Sequence, residues 1–471
     1  MQPTLLPLFA THKTQVKEAT ALTPKQRDEQ LTKLLQEKTV TDPLYWSLPD
    51  RNRRQLAHSL FQYPAMMVPE VQRRLVEAIK SVDTTIKSLY DPFVGSGTAL
   101  VAGMLNGLRC VGQDINPLAV LLARVKTQPY RYRVLKPKVK AVVKAARADK
   151  SLECAVAFAG LDKWFRPDVQ RDLSRLHRAI LSQPGEARPF LWVILAETIR
   201  LTSNDRTSTY KLHARTQEQI AARELAPLAT FEYLATRGCE DLQAFHIKLA
   251  EAGLVVQHNV YRGEANAQLE NTQLRAVGLP DEAGKYDLLV TSPPYGDNMT
   301  TVTYGQHSYL ALNWIPAADI DPGVDNSLLS TTQEIDKRSL GGSLERQELA
   351  ELVTELGKKS KSLAATLKKL DGSTVYAASS RVASFYRDLD DCLVNVLTVM
   401  KSNSYLCWTV ANRRVGNVEI PIDKILIELL QAKRVKYVTG IERTIHYKRM
   451  ASRNNTADTM KQERILIFRV L

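Results

Sequence analysis

Residues 291–295 read Thr-Ser-Pro-Pro-Tyr and follow directly on the apolar run Tyr286-Asp287-Leu288-Leu289-Val290. The consecutive prolines Pro293 and Pro294 remove two backbone donors and fix φ. The carbonyls of Ser292 and Pro293 are then free to accept hydrogen bonds from an amino group. Tyr295 supplies a ring on which a base taken out of its stack can lie. The set suits the exocyclic amine of a nucleobase. A stiff turn after a core strand is the plainer alternative.

A second element has ligand-binding character. Residues 86–98 read Ile-Lys-Ser-Leu-Tyr-Asp-Pro-Phe-Val-Gly-Ser-Gly-Thr and lead into a helical stretch over 99–106. This is strand, glycine turn, helix: Gly95 and Gly97 let a ligand approach the backbone, and the helix N-terminus points at it. It is not the six-residue dinucleotide fingerprint. The next strand, Leu108 to Gly112, runs into Gln113-Asp114, and Asp114 lies 19 residues past Gly95. An acidic side chain there can take both hydroxyls of a ribose. Capping a helix before Asn116-Pro117 is the plainer alternative for Asp114, and the two roles are compatible.

DPFVGSGT, Asp114 and TSPPY together resemble the S-adenosylmethionine-dependent DNA methyltransferases that act on exocyclic amino groups of bases. The resemblance covers about 60–130, 255–320 and 370–471. It implies an α/β chain with a Rossmann-like class I methyltransferase fold and S-adenosylmethionine as cofactor, with no metal. Asp91, Pro92, Phe93, Gly95, Gly97, Thr98 and Asp114 would cradle that cofactor. Tyr63 and Pro64, within Phe61 to Pro69, look like the segment that packs over its methionine end, although the family often has Lys where Met66 stands. Gly263-Glu264-Ala265 resembles the element near the adenine. Ser292, Pro293, Pro294 and Tyr295 would be the catalytic set.

The chemistry implied needs no covalent intermediate. The lone pair of an exocyclic amine is delocalised into the ring, so the site must hold the NH₂ by two acceptors and align it with the methyl donor. That is catalysis chiefly by positioning and electrostatics. Family members acting on adenine more often carry Asp where Ser292 stands, and those acting on cytosine more often carry Ser. The resemblance therefore favours N4 of cytosine, with N6 of adenine as the alternative. An RNA base methyltransferase is a further alternative, but those often carry Asn or Asp before Pro-Pro-Tyr beside a dedicated RNA-binding module. A nucleic-acid-binding protein with an inactive methyltransferase fold is the remaining one.

The chain has 471 residues, of which 44% are hydrophobic and 24% charged, a globular composition. No apolar run approaches the ~18–20 residues of a membrane helix, and the N-terminus has no basic leader, so a cytoplasmic protein is expected. Five scattered cysteines without C-x-x-C spacing read as reduced thiols. Net charge is +14, and residues 131–224 hold 19 Lys or Arg against 10 Asp or Glu. Such a local excess suits a phosphate backbone, here double-stranded DNA. The family context adds a restriction-modification or related defence system, prokaryotic or phage-encoded, with a cognate restriction endonuclease as partner.

Three regions are expected: an N-terminal helical extension over 1–55, a catalytic domain over 56–130 and 251–471, and an inserted, largely helical, basic target-recognition region over 131–250. Periodicity predicts helices over 24–38, 67–80 and 344–369, and strands over 253–261, 404–410, 435–438 and 464–469. Residues 201–213 break the helical block with a polar loop, where Arg206, Lys211 and Arg215 are suited to phosphate or base-edge contacts. Residues 315–345 read as a mobile surface loop, the lysines of 344–369 as a basic face, and 443–453 as a basic irregular segment.

Overall fold

The structure, a computed structural model, describes residues 22–49, 55–128, 132–254, 268–270, 285–297, 301–321, 323–341, 349–371, 376–415, 417–445 and 462–471. Its strands are β1 (Ser88–Asp91), β2 (Arg109–Gln113), β3 (Gln268–Glu270), β4 (Tyr286–Thr291), β5 (Met400–Val410), β6 (Arg413–Val415), β7 (Val418–Ile420), β8 (Val435–Thr444) and β9 (Gln462–Val470). Seven of them form one sheet in the order β3-β2-β1-β4-β5-β9-β8, while β6 and β7 make a separate hairpin. Within the sheet β9 alone runs antiparallel to its neighbours. A mostly parallel sheet closed by this antiparallel pair matches the expected methyltransferase fold. The strand expected over 253–261 falls largely outside the described residues, and β3 is what lies beside β2.

Strand side chains alternate between two cores, as a sheet covered on both faces requires. Leu89, Leu288, Val290, Tyr405, Cys407, Ile465 and Ile467 face one core. Tyr90, Leu289, Leu406, Trp408, Leu466 and Phe468 face the other. The first core continues without a break into the helical block: Leu173, Phe190, Trp192 and Phe231 belong to it. Helix Arg188–Thr202 is apolar almost all round and correspondingly buried. The block thus shares a core with the sheet rather than hanging beside it.

The N-terminal helix spans Pro24–Thr41 and starts with a capping box between Thr23 and Gln26. It too is joined to the sheet. Buried Asp28 accepts hydrogen bonds from Tyr405 Oη (3.0 Å), Arg469 Nε (3.0 Å) and Lys436 Nζ (2.7 Å), which stand on β5, β9 and β8.

Three expectations are corrected. The helix expected over 344–369 is two helices, Leu349–Lys359 and Lys361–Asp371. Between them Ser360 Oγ accepts from Leu363 N at 3.0 Å and donates to Glu428, capping the second helix. Arg443 is not part of an irregular basic surface: it lies on β8, 4% exposed, ion-paired with Glu463 and donating to the Trp46 carbonyl. The stretch read as a surface loop contains short helices Ala317–Ile320, Asn326–Leu329 and Glu334–Arg338, and its later part walls a cavity. No helix among the described residues is long and apolar enough to cross a membrane.

Candidate active site

The chain order passes from β1 outward to β2 and β3, then returns to β4 and β5 on the other side. The switch lies between β1 and β4, and in such sheets ligands bind beyond the carboxyl ends of the strands at that point. A cavity of about 930 Å³, counting the space at its open mouth, lies there. Tyr63, Pro64, Pro92, Phe93, Gly95, Thr98, Asp114, Ser292 and Pro294 all line it. Residues far apart in sequence, from the expected cofactor-binding and catalytic sets alike, therefore line one cavity.

Asp114, at the end of β2, closes the glycine loop. One carboxylate oxygen accepts from Gly95 N and the other from Asn116 N, each at 2.9 Å. Burial raises its pKa to about 6, against the pull of these backbone donors. Asp91, at the end of β1, sits behind the cavity wall and is fully buried. Its Oδ1 accepts from Thr291 Oγ1 at 2.6 Å and from Phe93 N at 3.0 Å. Burial pushes this acid up to about 7.

Gly97 does not line the cavity. It is the left-handed cap of helix Thr98–Met104, at φ 76°, and a Cβ there would lie 3.1 Å from Ala123 Cβ. Its size serves helix packing, and of the two glycines Gly95 alone faces the cavity. Behind the loop, buried Lys126 donates to the Ser96 carbonyl at 2.7 Å, and burial lowers its pKa to about 7.

Ser292 and Pro294 are half-buried at the cavity edge, while Pro293 is buried beneath them. The Tyr295 hydroxyl lies 3.3 Å from Ser292 Oγ and 3.4 Å from Glu463 Oε1. Burial raises its pKa well above the ordinary tyrosine value, and the Glu463 charge adds to this. Glu264 and Ala265 lie outside the described residues.

Several lining residues went unnoticed in the sequence. Asn116 donates to Tyr63 Oη (3.1 Å) and Ser308 Oγ (2.8 Å), and the Tyr63 and Tyr304 rings stack at 5.8 Å. The Asn-Pro helix start at 116–117 was the available signal for Asn116. Ile335, Arg338, Ser339 and Leu340 also line the cavity. They are held in place by buried Asp336, which accepts from Gly305 N (2.9 Å) and Gln306 N (3.1 Å) and is pushed by burial to about 6.

The polar loop of the helical block is a small hairpin closed by the bridge Asp205–Ala214 and the bond from Arg206 N to the His213 carbonyl (2.9 Å). It carries Arg206 and Lys211 exposed and Arg215 half-buried at its base. The hairpin docks on the segment after the Pro-Pro turn: Thr303 Oγ1 donates to the Tyr210 carbonyl (3.2 Å), and Leu212 N donates to Gln306 Oε1 (3.3 Å). His307, on the same segment, sits between the rings of Phe61 and Tyr210 and hydrogen-bonds the Gln62 carbonyl at 3.0 Å. Burial lowers its pKa to about 4, and because the Gln62 carbonyl can only accept, Nε2 is the donor. No cluster of potential metal ligands occurs among the described residues.

Comparison with known proteins finds two type II methyltransferases. The type II methyltransferase M.MvaI of Kocuria varians is 30% identical over 473 residues, covering 94% of this chain and 97% of its own. M.MjaII of Methanocaldococcus jannaschii, another type II methyltransferase, is 34% identical over 89 residues, which is 19% of this chain and 16% of that protein. No family model matches the chain, and no solved structure does. Similarity running along nearly the whole of both chains, on a sheet of methyltransferase order, shows that the chain belongs to the type II methyltransferases, S-adenosylmethionine-dependent enzymes that methylate DNA.

Proposed function

We propose that this enzyme methylates the exocyclic amine of a base extruded from duplex DNA, with N4 of cytosine preferred over N6 of adenine. One observation carries the reading: Asp114 and the Gly95 turn line the same cavity as Ser292 and Pro294. A cofactor held at the first two would present its methyl group to an amine held at the others.

The residues fit S-adenosylmethionine. Asp114 offers a carboxylate to ribose hydroxyls, the Gly95 backbone allows close approach, and Tyr63, Pro64 and Phe93 supply apolar wall. The bound cofactor supplies an electrophilic methyl on a sulfonium centre. The chain's own contribution is to hold and orient. The Ser292 and Pro293 carbonyls, with Ser292 Oγ, accept from the NH₂ and favour a tetrahedral nitrogen as it attacks. Tyr295, its hydroxyl near Glu463, supplies a face for the base. The positive charge arising on nitrogen would be stabilised by those acceptors until its proton passes to solvent water. Ser292, rather than the Asp common among adenine enzymes, supports cytosine.

In this reading the exposed Arg206 and Lys211, with Arg215 at the hairpin base, meet the DNA backbone or base edges beside the site, and 131–250 is the target-recognition region. Incubation with labelled cofactor and plasmid DNA, then mass spectrometry of the nucleosides, tests the proposal. 4-Methylcytosine is expected, 6-methyladenine would move the assignment to the alternative, and absence of any methylated base would overturn it.

A further inference from the structure

We infer that Arg413 is a positioning residue for the methyl-transfer site, acting through Asp297 and Gly296. The inference rests on the reading that residues 292–295 hold the target amine. Arg413 opens β6, in the hairpin outside the main sheet, yet its side chain is only 7% exposed and Asp297 only 3%. Arg413 Nη2 and Asp297 Oδ2 are 3.5 Å apart. The guanidinium also lies against the turn: a Cβ on Gly296, whose φ is 138°, would fall 2.2 Å from Arg413 Cζ. Only glycine can follow Tyr295 while that guanidinium keeps its place.

Asp297 touches a third segment. A Cβ built on Gly341 would lie 2.8 Å from Asp297 Cβ, so the two backbones are in close contact. Gly341 N donates to Asp388 Oδ2 at 2.8 Å, which fixes it to helix Tyr376–Val399. Immediately before Gly341 stand Arg338, Ser339 and Leu340, which line the cavity. Asp297 is therefore the joint at which the Pro-Pro turn, the cavity wall and Arg413 meet. Burying a guanidinium and a carboxylate is costly unless geometry rewards it. Here the reward is a fixed relation between the acceptors for the amine and the wall of the cofactor cavity.

A planar guanidinium can both pair with Asp297 and lie over Gly296, whereas a lysine ammonium cannot cover the turn. Arg413→Lys, and independently the isosteric Asp297→Asn, are to be assayed with S-adenosylmethionine and plasmid DNA. Misplacement by about 1 Å predicts a loss of ~10- to 100-fold in kcat. KM for the cofactor should stay within about threefold, because uniform binding is untouched. The double variant should be no slower than the worse single, since both changes break one joint. Gly296→Ala, which expels the guanidinium, should reproduce the loss. Tyr295→Ala is run in parallel. If it keeps full turnover, the reading of the site itself fails. If it is impaired while Arg413→Lys and Asp297→Asn stay within about twofold of wild type, or their losses multiply, the positioning role is refuted.

Discussion

Thr291 Oγ1 donates a 2.6 Å hydrogen bond to Asp91 Oδ1, across the switch point between β4 and β1. It ties the strand leading into the Pro-Pro turn to the strand leading into the glycine loop, at the level where both meet the cavity. Thr291→Val keeps the shape and removes the donor from a fully buried carboxyl. A loss of about 1–3 kcal/mol in stability is expected, read from urea unfolding, with weaker cofactor binding in calorimetry. An unchanged midpoint and affinity would show the bond to be incidental.

Asp91 and Asp114 have folded-state pKa values raised to about 7 and about 6 from 3.8. A raised acid contributes stability that is fully present below its unfolded pKa and is lost as pH rises through the folded one. The cofactor-free enzyme should therefore lose part of its stability between about pH 4 and about pH 7. Asp91→Asn and Asp114→Asn should each flatten that decline. Cofactor affinity should run the other way, strengthening as Asp114 ionises. Urea midpoints and calorimetry across this range check both signs.

Asp114→Ala removes the acceptor for ribose hydroxyls and should weaken S-adenosylmethionine binding by ~10-fold or more. Calorimetry on the folded variant gives the number. Unchanged affinity would leave Asp114 with its loop-closing role alone.

Ser292 and Tyr295 should fail in different ways. Tyr295→Ala removes a stacking platform of ~1–3 kcal/mol per base and should cut turnover with cofactor affinity nearly intact. Ser292→Ala keeps the backbone acceptors and should slow the reaction with little change in DNA affinity. Ser292→Asp should impair the enzyme or loosen its base choice, which mass spectrometry of the product nucleosides detects.

Arg206→Ala and Lys211→Ala should each weaken duplex binding and reduce the slope of log affinity against log salt by about 1 for each phosphate no longer neutralised. A titration at several salt concentrations distinguishes this from a folding defect, which would not change the slope in steps.

The glycine loop and the Pro-Pro turn were legible in the sequence because their backbone geometry is written locally, in glycines, prolines and the apolar runs before them. The strands at 404–410, 435–438 and 464–469 were legible for the same reason, as short apolar runs. What stayed hidden arrives by tertiary packing. Residues 335–340 look like an ordinary polar loop until the carboxylate of Asp336 is seen capping the helix at Tyr304. Ser360 hides a helix break inside a lysine-rich amphipathic run, because its partner Glu428 is 68 residues away. Gly97 matched a motif yet serves packing against Ala123, a neighbour that spacing cannot reveal.

The pairing of β1 with β4 also bears on how the protein is made. Leu89 and Tyr90 pair with Leu288 and Leu289, and Asp91 waits for Thr291, 200 residues later in the chain. At ordinary synthesis rates that interval lasts roughly 10–40 s. Throughout it the first strands and the helices packed on them have an apolar edge with no neighbour. Long-range parallel pairing of this kind is slow and open to aggregation. A nascent chain stalled before residue 285 should accordingly be protease-sensitive and chaperone-bound, and should become compact once β4 has left the ribosome.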